Sequence, residues 1–205
     1  MLVVGIDIGI VHLGIVLVKV TDQLTVDRVI QADLVDLTTL VHRQVSLEDC
    51  RLYHTSAHSD LVDHLMQEYA EWFHDAQWVA IERQPPMGFV SIEQLIFRAN
   101  REKAVLVSPA SMHTFFNLGG SDYERRKELM EKHTYRYVGD FTEDKERKHD
   151  VADAMGVVMC FLHKMRMQRG TVRRMWMEKI TPIVLNDEER SKPLADRLQR
   201  YRRNV

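Results

Sequence analysis

The chain of 205 residues has little cysteine, no long apolar run and no repeated or low-complexity segment. Its two cysteines, Cys50 and Cys160, lie far apart without metal-binding spacing, so we expect neither a disulfide nor a zinc ion. No apolar run approaches the roughly 20 residues that a membrane span requires, so we expect no membrane partner. The opening segment MLVVGIDIG lacks basic residues and contains Asp7, which favours a strand over a signal peptide. These absences indicate a protein of a reducing compartment, the cytoplasm.

The composition is that of an ordinary globular protein, with 45% hydrophobic and 28% charged residues. The net charge of −2 conceals a difference between two parts of the chain. Residues 164–205 hold 12 Lys and Arg against 5 Asp and Glu, whereas residues 1–163 hold 16 against 25. We therefore predict one domain over 1–163 and a basic C-terminal extension over 164–205. The extension suits a polyanionic partner or, equally, a solvated tail.

The apolar pattern predicts both strands and helices. Short apolar runs indicate five strands, at 2–8, 15–20, 24–30, 78–81 and 104–107. Apolar residues at helical spacing indicate four helices, at about 59–73, 91–101, 122–137 and 149–164. The first three strands follow one another through turns as an antiparallel meander, and the later strands are joined through helices. This order is typical of an α/β fold in which helices flank a mixed five-stranded sheet.

Local signals predict some of the element boundaries. Ser59, or the aspartate after it, is the expected N-cap of the first helix. Ser91 with Gln94 fits a capping box at the start of the second. The pair SP at 108–109 is expected to end the fifth strand. Residues 33–56 have a mixed pattern from which no element is predicted.

Four acidic residues stand where an apolar environment disfavours charge. Asp7 lies within the most hydrophobic strand, where an uncompensated carboxylate costs several kcal/mol. Glu82 directly follows the apolar run WVAI at 78–81. Asp150 and Asp153 are three residues apart, so both project from one side of the first turn of the most apolar helix. A strand end in water also accounts for Glu82, and a helix dipole accounts for the aspartate pair; these alternatives stay open.

Together the four acids predict a metal centre at the edge of a buried sheet. Clustered carboxylates repel one another and stay ionised only with cations between them. Oxygen-rich clusters of this kind suit Mg²⁺, for which Mn²⁺ can substitute. Two such ions about 4 Å apart can activate water on one side of a phosphodiester and stabilise the leaving oxygen on the other. The expected chemistry is therefore phosphodiester hydrolysis.

The motifs that carry these acids resemble those of a known family. The segment GIDIG at 5–9, followed by Gly14, resembles the first-strand motif of RuvC-like resolvases. IERQP at 81–85 is very similar to the second-acid motif of the poxvirus resolvases. DVADA at 150–154 resembles the motif that opens the last helix of these proteins. The resemblance extends to SP at 108–109 and YERRK at 123–127, and it covers about residues 1–163.

What the resemblance implies is a poxvirus-type Holliday junction resolvase with the RNase H-like fold. Such an enzyme is a homodimeric, Mg²⁺-dependent endodeoxyribonuclease that cuts four-way DNA junctions symmetrically. The resemblance also implies a source among large DNA viruses, which use such enzymes to resolve replication intermediates. The residues implied for metal binding are Asp7, Glu82, Asp150 and Asp153, and Lys127 joins them in catalysis.

The chain departs from the bacterial RuvC pattern in its lysines and in its junction wedge. No lysine stands just upstream of the glycine pair at 119–120, which leaves Lys127 as the better-placed basic candidate. Two prolines at 85–86 stand where a wedge aromatic is expected, and Phe89 is the nearest substitute. A solvated helix face accounts equally well for the basic run at 125–127. The candidate DNA contacts are Arg83, Phe89, Arg125, Arg126 and His149.

Three other functions fit parts of the sequence. A related RNase H-like nuclease would cut RNA–DNA hybrids or flaps instead of junctions. An actin-like or sugar-kinase-like ATP-binding protein shares the pattern Asp-x-Gly-x-x-x-x-Gly, but it needs a second phosphate loop, which we do not find in the sequence. A non-catalytic DNA-binding protein conflicts with the complete set of four acids.

Overall fold

The computed structural model describes residues 1–43, 50–142 and 147–171. Within them lies one sheet of five strands, β1 (Leu2–Asp7), β2 (Leu13–Val20), β3 (Val26–Val35), β4 (Trp78–Glu82) and β5 (Ala104–Val107). The strands lie in the order β3-β2-β1-β4-β5. β2 is antiparallel to β1 and β3, whereas β4 is parallel to β1 and β5. The predicted mixed sheet and its antiparallel opening are therefore confirmed.

Helices cover both faces of the sheet. They are α1 (Leu37–Arg43), α2 (His58–Glu68), α3 (Ala70–Asp75), α4 (Val90–Ala99), α5 (Pro109–Phe115), α6 (Tyr123–Thr142) and α7 (Lys148–Thr171). α5, α6 and α7 share an apolar core with Val3 and Ala80 on one face of the sheet. α1 to α4 share a second core with Ile6 and Ile81 on the other face. The result is a three-layer α/β/α arrangement.

The apolar helix predicted at 149–164 is α7, and it is buried as expected. Val151, Ala154 and Val158 have no exposed surface. Residues Met1–Arg166 form one compact unit. α7 itself continues to Thr171, past the predicted domain boundary, and the rest of the basic extension lies outside the described residues. None of the helices that the structure describes is both long and apolar enough to cross a membrane.

The third strand is longer than its alternating pattern predicts. β3 continues to Val35, which pairs with Leu13 of β2. The pairing shifts register between Leu17 and Val18, where Val29 pairs with Val18 and Gln31 with Leu17. Such a bulge reverses the in–out alternation, which explains why the residues after 30 gave no strand pattern.

The single helix predicted at 59–73 is wrong, because the chain forms two helices there. Tyr69, with φ −103° and ψ 25°, separates α2 from α3. Its side chain is buried, and its hydroxyl donates a hydrogen bond to Oδ2 of Asp33 on β3 at 2.8 Å. The N-cap of α2 is Ala57 rather than Ser59 or Asp60. The break between α2 and α3 therefore coincides with this contact to β3. The helical spacing of the apolar residues does not indicate it.

Two predictions near helix starts also need correction. α4 begins at Val90, so the capping box of Ser91 and Gln94 is wrong; the Oγ of Ser91 instead lies 2.5 Å from Nδ1 of His58. The pair SP at 108–109 not only follows β5 but opens α5, a helix that was not predicted. The Oγ of Ser108 accepts the backbone N–H of Ser111 at 3.2 Å, and a proline occupies the first turn, as helix starts favour.

Candidate active site

The first two acids lie at the ends of adjacent parallel strands. Ile6 of β1 pairs with Ile81 of β4, so the next residues, Asp7 and Glu82, are neighbours. Side chains alternate between the faces of a strand, and Ile6 and Ile81 both lie in the core beneath α1 to α4. Asp7 and Glu82 therefore face α7. The Nε2 of Gln84 donates to Oε2 of Glu82 at 3.0 Å and orients its carboxylate.

Two glycines bring α7 against the sheet. A Cβ at Gly5 would lie 2.3 Å from Cγ2 of Val158 on α7. Gly14 pairs with Asp7 across β1 and β2, and a Cβ there would lie 2.0 Å from the backbone oxygen of Asp150. No side chain fits either gap, so glycine permits the helix to approach the strands directly. These contacts place the first turn of α7 beside Asp7.

The structure brings carboxylates from α7 and β1 together. Side-chain oxygens of Asp7, Asp150 and Asp153 all lie within 4.8 Å of one another. Asp150 and Asp153 keep only 6% and 13% of their side-chain surface exposed. Glu82 joins this cluster from β4, where it lies beside Asp7 on the adjacent strand. The four acids that the sequence analysis selected thus lie at one edge of the sheet.

Three basic side chains surround the four acids. The Nζ of Lys127 on α6 donates to Oδ2 of Asp153 and lies 3.9 Å from Oδ1 of Asp150. The Nε of Arg147 donates to Oδ2 of Asp150 at 2.8 Å. His149, the predicted DNA contact, has its Nε2 3.3 Å from Oδ1 of Asp150 and 3.1 Å from Nη2 of Arg147. Asp150 therefore contacts two cationic side chains, Lys127 and Arg147, as well as an imidazole.

The charges of the cluster perturb its ionisation. Burial raises the pKa of Asp7 well above its ordinary value, and the charges of Glu82 and Asp153 raise it further. Burial likewise raises the pKa of Glu82, and it raises the pKa of Asp153 against the opposing charge of Lys127. Burial alone lowers the pKa of Lys127, but Asp153 outweighs it and the net shift is upward. Lys127 therefore stays protonated, while Asp7, Glu82 and Asp153 resist ionisation.

The donor set fits a hard divalent cation. When ionised, the four carboxylates carry four negative charges, and among the described residues Lys127 and Arg147 contribute two positive ones. An octahedral Mg²⁺ with oxygens about 2.1 Å away holds pairs of them about 3.0 to 4.2 Å apart. The side-chain oxygens of Asp7, Asp150 and Asp153 lie within 4.8 Å of one another, which is close to that range. Asp7, Glu82, Asp150 and Asp153 are therefore suited to hold Mg²⁺ or Mn²⁺.

Two clefts open onto the cluster. A cleft of about 330 Å³ is lined by the four acids with Lys127, Arg147 and Phe89. A smaller one, of about 150 Å³, is lined by Glu82, Lys127 and Asp153 together with Arg126 and His113. Lys127 borders both. A phosphate group in either cleft would contact the acids only with cations present, since like charges repel.

Not all of the other predicted DNA contacts lie at the clefts. Phe89 is 41% exposed at the rim of the larger cleft. Arg126 lines the smaller cleft and its Nη1 donates to the backbone oxygen of Ser121 at 2.7 Å. Arg125 pairs instead with Glu128 on the exposed side of α6. Arg83 is exposed next to Glu82, and none of the clefts described here includes it.

Sequence reasoning missed two residues of this site. Arg147 lies three residues before Asp150, a spacing that permits an ion pair within a helical turn and was a usable signal. His113 lines the smaller cleft, and burial and the charge of Arg126 lower the pKa of its imidazole. His113 lies on α5, the helix that was not predicted, so its approach to the acids had no sequence signal.

Comparison with known proteins gives structural but not sequence matches. No protein-family model matches the chain, and no curated protein sequence matches it. Among solved structures, fowlpox virus resolvase in complex with Holliday junction DNA superposes with a TM-score of 0.57 and 14% identity, over 80% of this chain and 99% of that one. Thermus thermophilus RuvC with a Holliday junction substrate gives 0.54 and 19%, over 82% and 96%. The yeast mitochondrial Holliday junction resolvase Ydc2 gives 0.54 and 16%, over 82% and 80%.

These similarities cover about four-fifths of this chain and nearly the whole of the fowlpox virus and Thermus structures. The chain therefore shares its fold, a mixed five-stranded sheet flanked by helices, with these solved structures.

Proposed function

We propose that this protein is a structure-selective endonuclease that resolves four-way DNA junctions by Mg²⁺-dependent phosphodiester hydrolysis. The observation that carries the proposal is the cluster of Asp7, Glu82, Asp150 and Asp153 beside Lys127. The fold adds support, because the similar fowlpox virus and bacterial structures hold Holliday junction DNA. We further propose Mn²⁺ as a substitute metal, and action in a reducing cytoplasm at viral replication sites.

The acids and the lysine have distinct roles in this proposal. Mg²⁺ bound by the carboxylates supplies an activated water and charge stabilisation for the leaving oxygen. Asp7 lies between β4 and α7, so it connects Glu82 to the aspartate pair. Lys127 holds Asp153 in place and offers an ammonium group at the border of both clefts. That ammonium is placed to stabilise negative charge on a phosphate.

DNA contacts are proposed on the surface around the clefts. Arg126 and His149 lie beside the acids, where they are suited to contact phosphates flanking the cut. Phe89 at the rim offers an exposed ring that is suited to stack on a base at the junction centre. Arg83 and Arg125 are proposed as outer phosphate contacts. The basic extension at 164–205 is proposed to add salt-dependent affinity for DNA, with 1–163 as the nuclease domain.

The substrate class is testable with a panel of labelled DNAs. Purified full-length protein should cut a four-way junction in the presence of Mg²⁺, and should cut linear duplex, flap and RNA–DNA hybrid far more slowly. EDTA should stop the reaction. Preferred cutting of the flap or of the hybrid would replace the junction resolvase with the related nuclease of the same fold.

A symmetric homodimer is part of the proposal. A four-way junction presents equivalent strands related by a two-fold axis, and one active site per subunit about a matching axis cuts both. Light scattering should give about twice the monomer mass of 24.0 kDa. On a cruciform plasmid, paired cuts within one binding event should yield linear product directly. A monomer that accumulates singly nicked circles would contradict the resolvase proposal.

A further inference from the structure

A second group of possible metal ligands lies away from the acids, on α2 and the segment before it. The sulfur of Cys50 and ring nitrogens of His54 and His64 all lie within 4.8 Å of one another. The Sγ of Cys50 is 3.8 Å from Nε2 of His64. The two imidazole rings lie edge to face, with centroids 4.9 Å apart. One thiol and two imidazoles therefore lie close enough together to contact a single metal ion.

Hydrogen bonding prepares His64 to bind a metal. Its Nδ1 lies 2.7 Å from the backbone oxygen of Asp60, one helical turn earlier, and only an N–H at Nδ1 can donate to that oxygen. The proton is thereby fixed on Nδ1, and Nε2 is left with a lone pair that faces the sulfur of Cys50. A backbone carbonyl that orients a histidine in this way is a recurrent feature of metal sites.

Burial adds to the case for a built site. His64 is 5% exposed, and the Nε2 atom of His54 is buried. On α2, His64 lies one turn after Leu61 and directly before Leu65, and both leucines belong to the apolar core under this helix. The imidazole of His64 therefore lies at the margin of the apolar core, where a metal contact would offset its loss of water.

We propose that Cys50, His54 and His64 bind a zinc ion that fixes the segment 50–57 to α2. A tetrahedral Zn²⁺ with Zn–S of about 2.3 Å and Zn–N of about 2.0–2.1 Å holds sulfur and nitrogen about 3.6 Å apart. The 3.8 Å separation between Cys50 and His64 is close to that value. One thiolate and two imidazoles favour Zn²⁺ over Mg²⁺, which prefers oxygen ligands. A fourth position is left for water or another donor.

The sequence analysis expected no zinc because the two cysteines are isolated. The three ligands follow the spacing Cys-x3-His-x9-His, which matches none of the common zinc patterns. The packing of residues 50–57 on α2 creates the cluster. The site shares no residue with the acidic cluster, so it is independent of the proposed nuclease function.

Metal analysis of matched variants tests the proposal. Full-length protein without a histidine tag is loaded with Zn²⁺, dialysed, and analysed by mass spectrometry for bound zinc. About one zinc per chain should remain, and Cys50→Ala and His54→Ala should lose it. The controls Cys160→Ala and His74→Ala replace the buried cysteine of α7 and an exposed histidine, so they should keep it. Asp7→Asn should also keep it, which separates this zinc from metal at the acids.

Two measurements on the wild-type protein need no variant that folds poorly. Co²⁺ in place of Zn²⁺ should give the thiolate charge-transfer band and the visible bands of a tetrahedral site. Zn²⁺, but not Mg²⁺, should protect Cys50 from alkylation, as peptide mapping would show. Wild-type protein that retains no zinc, or equal alkylation of Cys50 with and without Zn²⁺, would overturn the proposal. Zinc lost only in Asp7→Asn would move the metal to the acidic cluster.

Discussion

Asp7→Asn should abolish cleavage of a four-way junction while leaving junction binding intact. The substitution keeps the shape of the side chain but removes the charge that a divalent cation requires. Asp7 lies beside Glu82 on the adjacent strand and within 4.8 Å of the carboxylates of Asp150 and Asp153, so its loss removes an acid that neighbours all three others. Metal catalysis contributes several kcal/mol, and the single-turnover rate should therefore fall by about 10³-fold or more. Gel-shift titration should give a dissociation constant close to that of the wild type.

The same substitution should stabilise the protein when no metal is present. The pKa of Asp7 is raised by folding from its ordinary value of 3.8, so its contribution to stability is present below that pH. The contribution is lost as the pH rises through the folded-state pKa. At neutral pH the buried carboxyl of Asp7 therefore lowers the free energy of unfolding when no metal is bound. The asparagine removes this cost, and Tm in EDTA should rise by about 2–4 °C for each kcal/mol recovered. The difference in Tm should shrink at acid pH.

Adding Mg²⁺ should reverse the order of stability. The wild-type Tm should rise with Mg²⁺ concentration, since a ligand that binds only the folded state stabilises it, whereas Asp7→Asn should respond weakly. Asp27→Asn is the matched control, because this strand aspartate is exposed and lies 3.9 Å from Lys19. It should cut and respond to Mg²⁺ like the wild type. Normal cleavage by Asp7→Asn would show that the metal is held elsewhere.

The acids could be found from the sequence because each contradicts its surroundings. Asp7 ends a strand whose inner residues are buried, and Asp150 lies in the first turn of a helix whose next residues are almost all apolar. Gly5 and Gly14 belong to the same motif as Asp7, but the need for glycine at these positions arises from the packing of α7 on the sheet. Each removes a Cβ that would collide with α7, and only the packed structure reveals that collision.

Other features had no local signal. The break at Tyr69 accompanies a hydrogen bond to Asp33, 36 residues away in the chain. The bulge near Val29 hides the second half of β3, because the alternation that marks a strand reverses there. His64 presents its lone pair to Cys50 only after residues 50–57 pack on α2. Sequence patterns report periodicity within an element, and these features depend on contacts between elements.

Lys127→Ala should lower the rate of junction cleavage far more than the affinity for the junction. The Nζ of Lys127 contacts Asp153 and borders both clefts, so it can stabilise charge that develops on the scissile phosphate. Removing one such electrostatic group costs about 10²–10³-fold in rate. Single-turnover kinetics at saturating enzyme separates this loss from weaker binding. The pKa of Lys127 is raised, so the rate should not fall through its deprotonation near neutral pH.

The two arginines before Lys127 provide a matched series on the same helix turn. Arg126 lines the smaller cleft, so Arg126→Ala should weaken binding and reduce the slope of log affinity against log salt by about 1. Arg125 pairs with Glu128 on the exposed side of α6 and is proposed only as an outer phosphate contact, so Arg125→Ala should leave the rate unchanged and weaken binding less than Arg126→Ala does. A loss confined to affinity in Lys127→Ala would make this lysine a phosphate contact like Arg126. The chemical step would then depend on the metals and on Arg147, whose Nε donates to Oδ2 of Asp150.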